Sequence, residues 1–137
     1  MAYTGSGILA ITVNNTEVGT MSLFQKSGET YNIDLGGVRS EDSSDNVTVS
    51  GERINKQSIV CSKFDLGQVA WDKTVKDELA FVRKCAAAKV GSTVTVKCVD
   101  GAIYCMKNGY PVGDLAGDGS VGTFPCVFQG DANADRL

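Results

Sequence analysis

Thr93-Val94-Thr95-Val96-Lys97-Cys98-Val99-Asp100-Gly101-Ala102-Ile103-Tyr104-Cys105-Met106-Lys107 carries the clearest structural instruction in the chain. Apolar and polar residues alternate from Thr93 to Val99, the period of a strand buried on one face. Asp100-Gly101 is a favoured two-residue hairpin turn, because such turns need positive φ at their centre. Residues 102–107 then return as the partner strand. A two-residue turn sets Val96 opposite Cys105 and Cys98 opposite Ile103, so Val94, Val96, Cys98, Ile103 and Cys105 form one apolar face. Downstream, Asn108-Gly109 breaks the strand, Tyr110-Pro111-Val112-Gly113 follows, and residues 114–119 read as a loop. A last strand, from about Val121 to Gln129, turns Phe124, Cys126 and Phe128 inward. Pro125 has no N–H for a ladder and suits an edge or a bulge. Residues 131–137 read as a polar tail.

Upstream of the hairpin the period changes. Trp71, Val75, Leu79, Val82 and Ala86 fall in one narrow helical stripe, while Lys73, Lys76, Asp77, Arg83 and Lys84 point away. Asp72 near the start and Lys84 and Lys89 near the end suit the helix dipole, and Gly91 is a plausible stop. This predicts one helix over about residues 70–88. Before it, residues 57–66 alternate as a strand, with Val60, Ser62 and Phe64 on one face and Ile59, Cys61 and Lys63 on the other. Residues 30–35 alternate too, with Tyr31, Ile33 and Leu35 on one side. The N-terminal segment reads as a hairpin. Leu9, Ile11 and Val13 face the core, Asn14-Asn15 make the turn, and residues 16–24 return.

Between these strands, residues 36–56 are small, polar and turn-rich. A connection this long inside a compact domain is usually functional or disordered. Two readings stay open: a floppy surface loop, or an arm that orders against a neighbouring subunit.

The chain has 137 residues, 42% of them hydrophobic and 21% charged, which suits one globular domain over residues 1–137. A net charge of −3 with no basic run argues against gripping nucleic acid or an anionic membrane. There is no histidine, so the usual general base and the commonest metal ligand are missing. We therefore expect no enzyme, no catalytic residue, no cofactor and no metal. No apolar run approaches the ~18 residues of a membrane span, and no secretory signal is visible.

The cysteines are Cys61, Cys85, Cys98, Cys105 and Cys126. None has C-x-x-C spacing, and without histidine a zinc site is disfavoured. Cys98 and Cys105 sit diagonally on the hairpin, ~7–8 Å apart, at or beyond disulfide reach. Cys98, Cys105 and Cys126 read as small core residues. Cys61 lies off its strand's apolar face and Cys85 at the rim of the helical stripe, so these two are the candidates for contacts outside the subunit. An odd count leaves at least one thiol free or bonded to another chain. Asp114 and Asp118 flank a glycine-rich loop but lack the calcium-loop pattern, so a polar turn is expected.

The ordered set is opening hairpin, long polar excursion, strand, one helix, Asp-Gly hairpin and closing strand Gly122-Thr123-Phe124-Pro125-Cys126-Val127-Phe128-Gln129-Gly130. It resembles the tail tube proteins of contractile-tailed bacteriophages. The likeness is closest over residues 91–130 and includes the N-terminal residues 7–19; the five cysteines and Pro125 depart from it. The resemblance implies a mainly β fold, a sandwich or partial barrel with one helix, whose subunits form hexameric rings. It implies a structural virion protein, assembled in the bacterial cytoplasm. Its rings would stack into the inner tube of a contractile tail and conduct DNA to the host. The implied partners are further copies, the tail sheath, and the baseplate and tail-terminator proteins, with DNA only in passage and no membrane bound by the subunit. Six copies at −3 each would make a ring of −18, of like sign to DNA. The polar strand faces Thr93, Thr95, Lys97 and Thr30, Asn32, Asp34 are candidates to line the lumen. The excursion becomes a candidate inter-ring arm, with Gly36, Gly37, Val38, Arg39, Val47, Val49 and Ile54 as its contact residues. Cys61 and Cys85 become candidates for an inter-subunit disulfide. The tube of a type VI secretion or related injection system is one alternative. A small secreted cysteine-stabilised binding domain is an alternative of another class.

Overall fold

The structure is a computed structural model and describes residues 3–137. In chain order its strands are β1 (Ile8–Asn15), β2 (Gly19–Leu23), β3 (Asn32–Asp34), β4 (Gly37–Ser40), β5 (Gln57–Val60) and β6 (Ser62–Ala70). The helix α1 (Glu78–Ala87) follows, then β7 (Ser92–Cys98), β8 (Ile103–Pro111), β9 (Thr123–Gly130) and β10 (Asp135–Arg136). The protein is mainly β with a single short helix, as its alternating apolar residues predict.

All pairings are antiparallel, and one path runs β2-β1-β7-β8-β9-β6-β3, with β10 added beside β8 and with β4-β5 as a separate ribbon. The sheet folds back over one core that includes Ile11, Val13, Leu23, Phe64, Leu66, Val94, Val96, Met106, Phe124 and Phe128. It does not close into a barrel. Its ends are stitched instead by the Lys26 N–H to Gln68 O bond (2.9 Å) and the Ala70 N–H to Phe24 O bond (2.7 Å).

The Asp-Gly hairpin forms one residue out of the expected register. Val94 pairs with Met106, Val96 with Tyr104 and Lys97 with Ile103. Cys98 closes on Ala102 through a 2.8 Å N–H to O bond, and Gly101 sits at φ 93°, so the loop has three residues rather than two. Such a loop, a turn followed by a glycine at positive φ, is the next commonest hairpin connection. The slip reverses the second strand, since one residue of register moves every side chain to the other face. Met106 is therefore buried, and Cys105, expected in the core, lies opposite Thr95 on the outer face and is half-buried. A bulge between Ile8 and Ala10 changes sides only at the start of the opening strand: Ile8 is buried and Leu9 is 53% exposed, whereas Ile11 and Val13 face the core as expected. The first turn also moves. Asn15 is buried, its Oδ1 accepts the N–H groups of Glu17 and Val18, and its amide donates to Val90 O and Ser92 Oγ.

The helix is half the predicted length. Asp72 Oδ1 accepts the N–H of Thr74 and Val75 and the Thr74 hydroxyl, holding residues 73–76 in a turn. Such side-chain bonds to the local backbone compete with helix. Asp77, at φ 49°, caps α1 by accepting the Ala80 N–H. With Trp71 and Val75 outside the helix, its buried face is Glu78, Phe81, Val82 and Cys85, spaced i, i+3, i+4 and i+7, with Leu79 beside them. Ala86 is exposed and Val75 is 86% exposed. At the other end, residues 131–137 are no free tail: β10 pairs with β8, and Leu137 N–H bonds Ile103 O at 2.8 Å.

Strand β8 continues through Asn108-Gly109 instead of breaking there. Asn108 takes φ 53°, Gly109 still pairs with Ser92 of β7, and beyond it β8 pairs with β9 through Tyr110–Gln129 and Pro111–Phe128. Pro125 lies opposite Gln68, beside the β6 bulge and beyond the β8 pairing, where no ladder donor is needed.

The register can be read by mutation. Met106→Ala should cost about 2–5 kcal/mol in denaturant unfolding, and Cys105→Ser less than about 1 kcal/mol. The reverse order would restore the two-residue turn.

Candidate assembly interface

The long excursion is a β-hairpin that projects from the body. Pairing of Asn32 with Asp65, Ile33 with Phe64 and Asp34 with Lys63 in the body continues without insertion as Gly37 with Val60, Val38 with Ile59 and Ser40 with Gln57. β3-β4 and β5-β6 are thus one two-stranded ribbon, interrupted at Leu35-Gly36 and Cys61. Its inner part buries Ser62, Phe64 and Leu66 against the core. Its outer part, residues 37–60, has strands that pair chiefly with each other. A Val47–Arg53 bridge and the Thr48–Glu52 turn, closed by Gly51 at φ 93°, finish it.

The root of this arm is tightly built. Gly36 takes φ +74°, and a Cβ there would meet Val60 O at 2.6 Å and Ser62 N at 2.7 Å, so only glycine fits. Asp34 accepts the Gly36 N–H at 2.9 Å, and Arg39 grips both carboxylate oxygens, one of them at 2.9 Å. Arg39 beside Asp34, with help from the Gly36 N–H, holds the Asp34 carboxyl below the usual carboxylate range. The pair is largely exposed, so it directs the arm more than it stabilises the fold. Further out, Lys56 meets Glu41 at 3.4 Å and Arg53 donates to Glu41 O at 3.1 Å.

The arm exposes apolar side chains without a partner in the chain. Val38 and Ile59, a cross-strand pair, are 63% and 74% exposed. Val47 and Ile54 are about half exposed and Val49 at the tip is fully exposed. An isolated two-stranded hairpin is at best marginal in water, and exposed apolar patches on it mark an interaction surface. Beside the root, Cys61, Asn108, Tyr110, Val112, Gln129 and Asp131 line a shallow groove of about 400 Å³.

The thiols divide differently from expectation. All five are free. Cys61 is exposed, as its strand face required. Cys85 is fully buried under α1, because the helix stripe is rotated from the expected row, so it does not face a neighbour as anticipated. Burial pushes its thiol pKa up, and pushes that of Cys126 up strongly, with Asp65 adding to the latter. Cys98 is buried against Tyr31, whose hydroxyl lies 3.3 Å from its sulfur; that bond, with burial, raises Tyr31 to about 12. Among the described residues no group of three or more Cys, Asp or Glu is placed to hold a metal ion. Asp118 accepts from Ser120 and Val121 in an ordinary polar turn.

Two measurements follow from this geometry. A thiol reagent should modify Cys61 first in the native protein, with Cys85, Cys98 and Cys126 reacting only on unfolding; mass mapping of the early product checks the order. Asp34 has a folded pKa below its unfolded one, so its contribution is present above the ordinary carboxylate range and lost as pH falls through the folded value. Carboxyl NMR should therefore show Asp34 titrating at higher pH in Arg39→Ala than in the parent.

In comparisons with known proteins, the chain matches no protein-family model and no curated sequence.

Proposed function

We propose that this chain is a structural subunit that assembles with copies of itself into rings stacked as a hollow tube, the inner tube of a contractile phage tail. The single observation that carries the reading is the projecting ribbon of residues 37–60, whose Val38, Ile59, Val47, Ile54 and Val49 are exposed. In a monomer these side chains gain nothing. Against a neighbour, each Å² of apolar surface buried contributes roughly 25 cal/mol. An arm of this shape reaches up to about 30 Å from its root at ~3.3 Å per residue, enough to cross onto an adjacent subunit or ring.

The sheet supports the same reading. On the outer face of β1 and β7, Thr12 pairs with Thr95 and Asn14 with Thr93, giving neutral polar side chains with Lys97 as the charge beside them. Such a wall, in a ring of net negative charge, lets a DNA phosphate backbone slide past with few ions to hold it. Sheath, baseplate and tail-terminator proteins would meet the outside and the ends of the tube. The tubes of other contractile injection systems make the same demands on a subunit.

The test compares the full chain with a variant whose residues 41–53 are replaced by a short glycine turn. Negative-stain microscopy and light scattering of concentrated protein should show rings or tubes for the parent. The variant should be monomeric, with unchanged far-UV circular dichroism. A parent that stays monomeric at every concentration, or a shortened variant that assembles equally well, overturns the proposal.

A further inference from the structure

Residues 73–89 carry five cations, Lys73, Lys76, Arg83, Lys84 and Lys89, in a chain of net charge −3. The carboxylates in that span are already engaged. Glu78 is buried and accepts the Asp72 N–H at 2.9 Å. Asp77 accepts Trp71 Nε1–H at 2.9 Å and the Ala80 N–H at 3.3 Å. Lys76 donates to Ser22 O at 2.7 Å and lies 5.2 Å from the Phe24 ring centre. None of the five cations forms a salt bridge among the described residues. Between α1 and the β1–β2 hairpin lies a groove of about 320 Å³, lined by Val18, Met21, Ala80 and Phe81, by Lys76 and Lys84, and by Asp77, whose Oδ1 is already engaged. Glu17, at the edge of the adjoining hollow, accepts the Lys89 N–H at 3.2 Å.

The arm tip has the opposite character. Residues 41–52 include Glu41, Asp42, Asp45 and Glu52 and no cation. Of these, only Glu41 is ion-paired among the described residues, with Lys56. Val49 stands fully exposed between them, with Val47 46% exposed beside it. Hydrogen bonds of residues 41–55 stay within the arm, and α1 packs against β8 and β2. The chain therefore carries an anionic tip with exposed valines and, elsewhere, a groove of mixed lining with Val18 and Met21 on one side and two lysines on the other.

We propose that the arm tip of one copy docks in the groove between α1 and the β1–β2 hairpin of a neighbouring copy. Val49 lies on Val18 and Met21, and Asp42, Asp45 and Glu52 face Lys76 and Lys84, with Arg83 in the adjoining hollow on α1. This rests on the self-assembly reading and names the surface that receives the arm. The occupant is a second copy because both complementary surfaces belong to this chain at different places. Such a contact is head-to-tail, and head-to-tail contacts propagate into rings or filaments rather than stopping at a dimer. Charge complementarity of this kind sets partner choice and register.

The experiment uses the full chain at low ionic strength, where exposed charges are least screened. Reversing the two cations of α1 at and beside the groove, Lys84→Glu with Arg83→Glu, should raise the concentration for half-assembly about ten-fold or more. Adding Asp45→Lys and Glu52→Lys to the same chain should restore it to within about three-fold. All four side chains are exposed, so circular dichroism should not change. A photo-reactive residue in place of Val49 should cross-link to residues 17–22 or 76–84 of another copy. Charge reversal without effect, or cross-links confined to another surface, overturns the docking site while arm-dependent assembly stands. A parent chain that never assembles removes both.

Discussion

Strand β8 is the joint on which the rest of the molecule depends. Residues 103–109 of it pair with β7 and residues 110–111 with β9, so one strand belongs to both halves of the sheet. The change of partner occurs at Asn108, which takes φ 53°, and at Gly109, where a Cβ would lie 2.9 Å from Met106 Sδ. Gly130 completes the joint, since a Cβ there would come within 2.6 Å of Lys107 O. Without this bend β6 and β9 could not lie over β1 and β7, and Phe64, Phe124 and Phe128 would have no second layer to meet.

The same folding-over decides where the ribbon stops being body and becomes arm. From Asn32 to Ser40 and back from Gln57 to Asp65 the pairing keeps one register. What changes along it is only what lies beside it. Next to β9 its inner face is buried; past Gly36 and Cys61 there is no further strand, and its apolar residues meet solvent. An exposed edge of this kind is a hazard of uncontrolled pairing unless it is charged or has a designated partner. Here the tip concentrates carboxylates while residues 73–89 concentrate cations, a division that the proposed head-to-tail contact would use.

The cysteines illustrate how a small geometric change reassigns chemistry. Cys61 keeps the exposed position its alternation implied. Cys105 trades places with Met106 because the hairpin loop holds one more residue, and Cys85 turns inward because the helix begins at Glu78. In each case the residue type was compatible with both sides of the surface, as a thiol is small and only weakly polar.

Strand alternation, the single helix, the inward Phe124-Cys126-Phe128 row and the polar, turn-rich character of residues 36–56 were all legible in the sequence, because each depends on local period and composition. Tertiary structure alone decided the register of Lys97 with Ile103, the bulge at Leu9, the helix start at Asp77 and the capture of residues 131–137 by β8. These differ from their alternatives by one residue of pairing or one side-chain hydrogen bond, too little for a local pattern to resolve. The hairpin form of the arm, and the groove between α1 and the β1–β2 hairpin, were invisible for a related reason. Both join residues far apart in sequence, which only the packed sheet and helix bring into fixed relation.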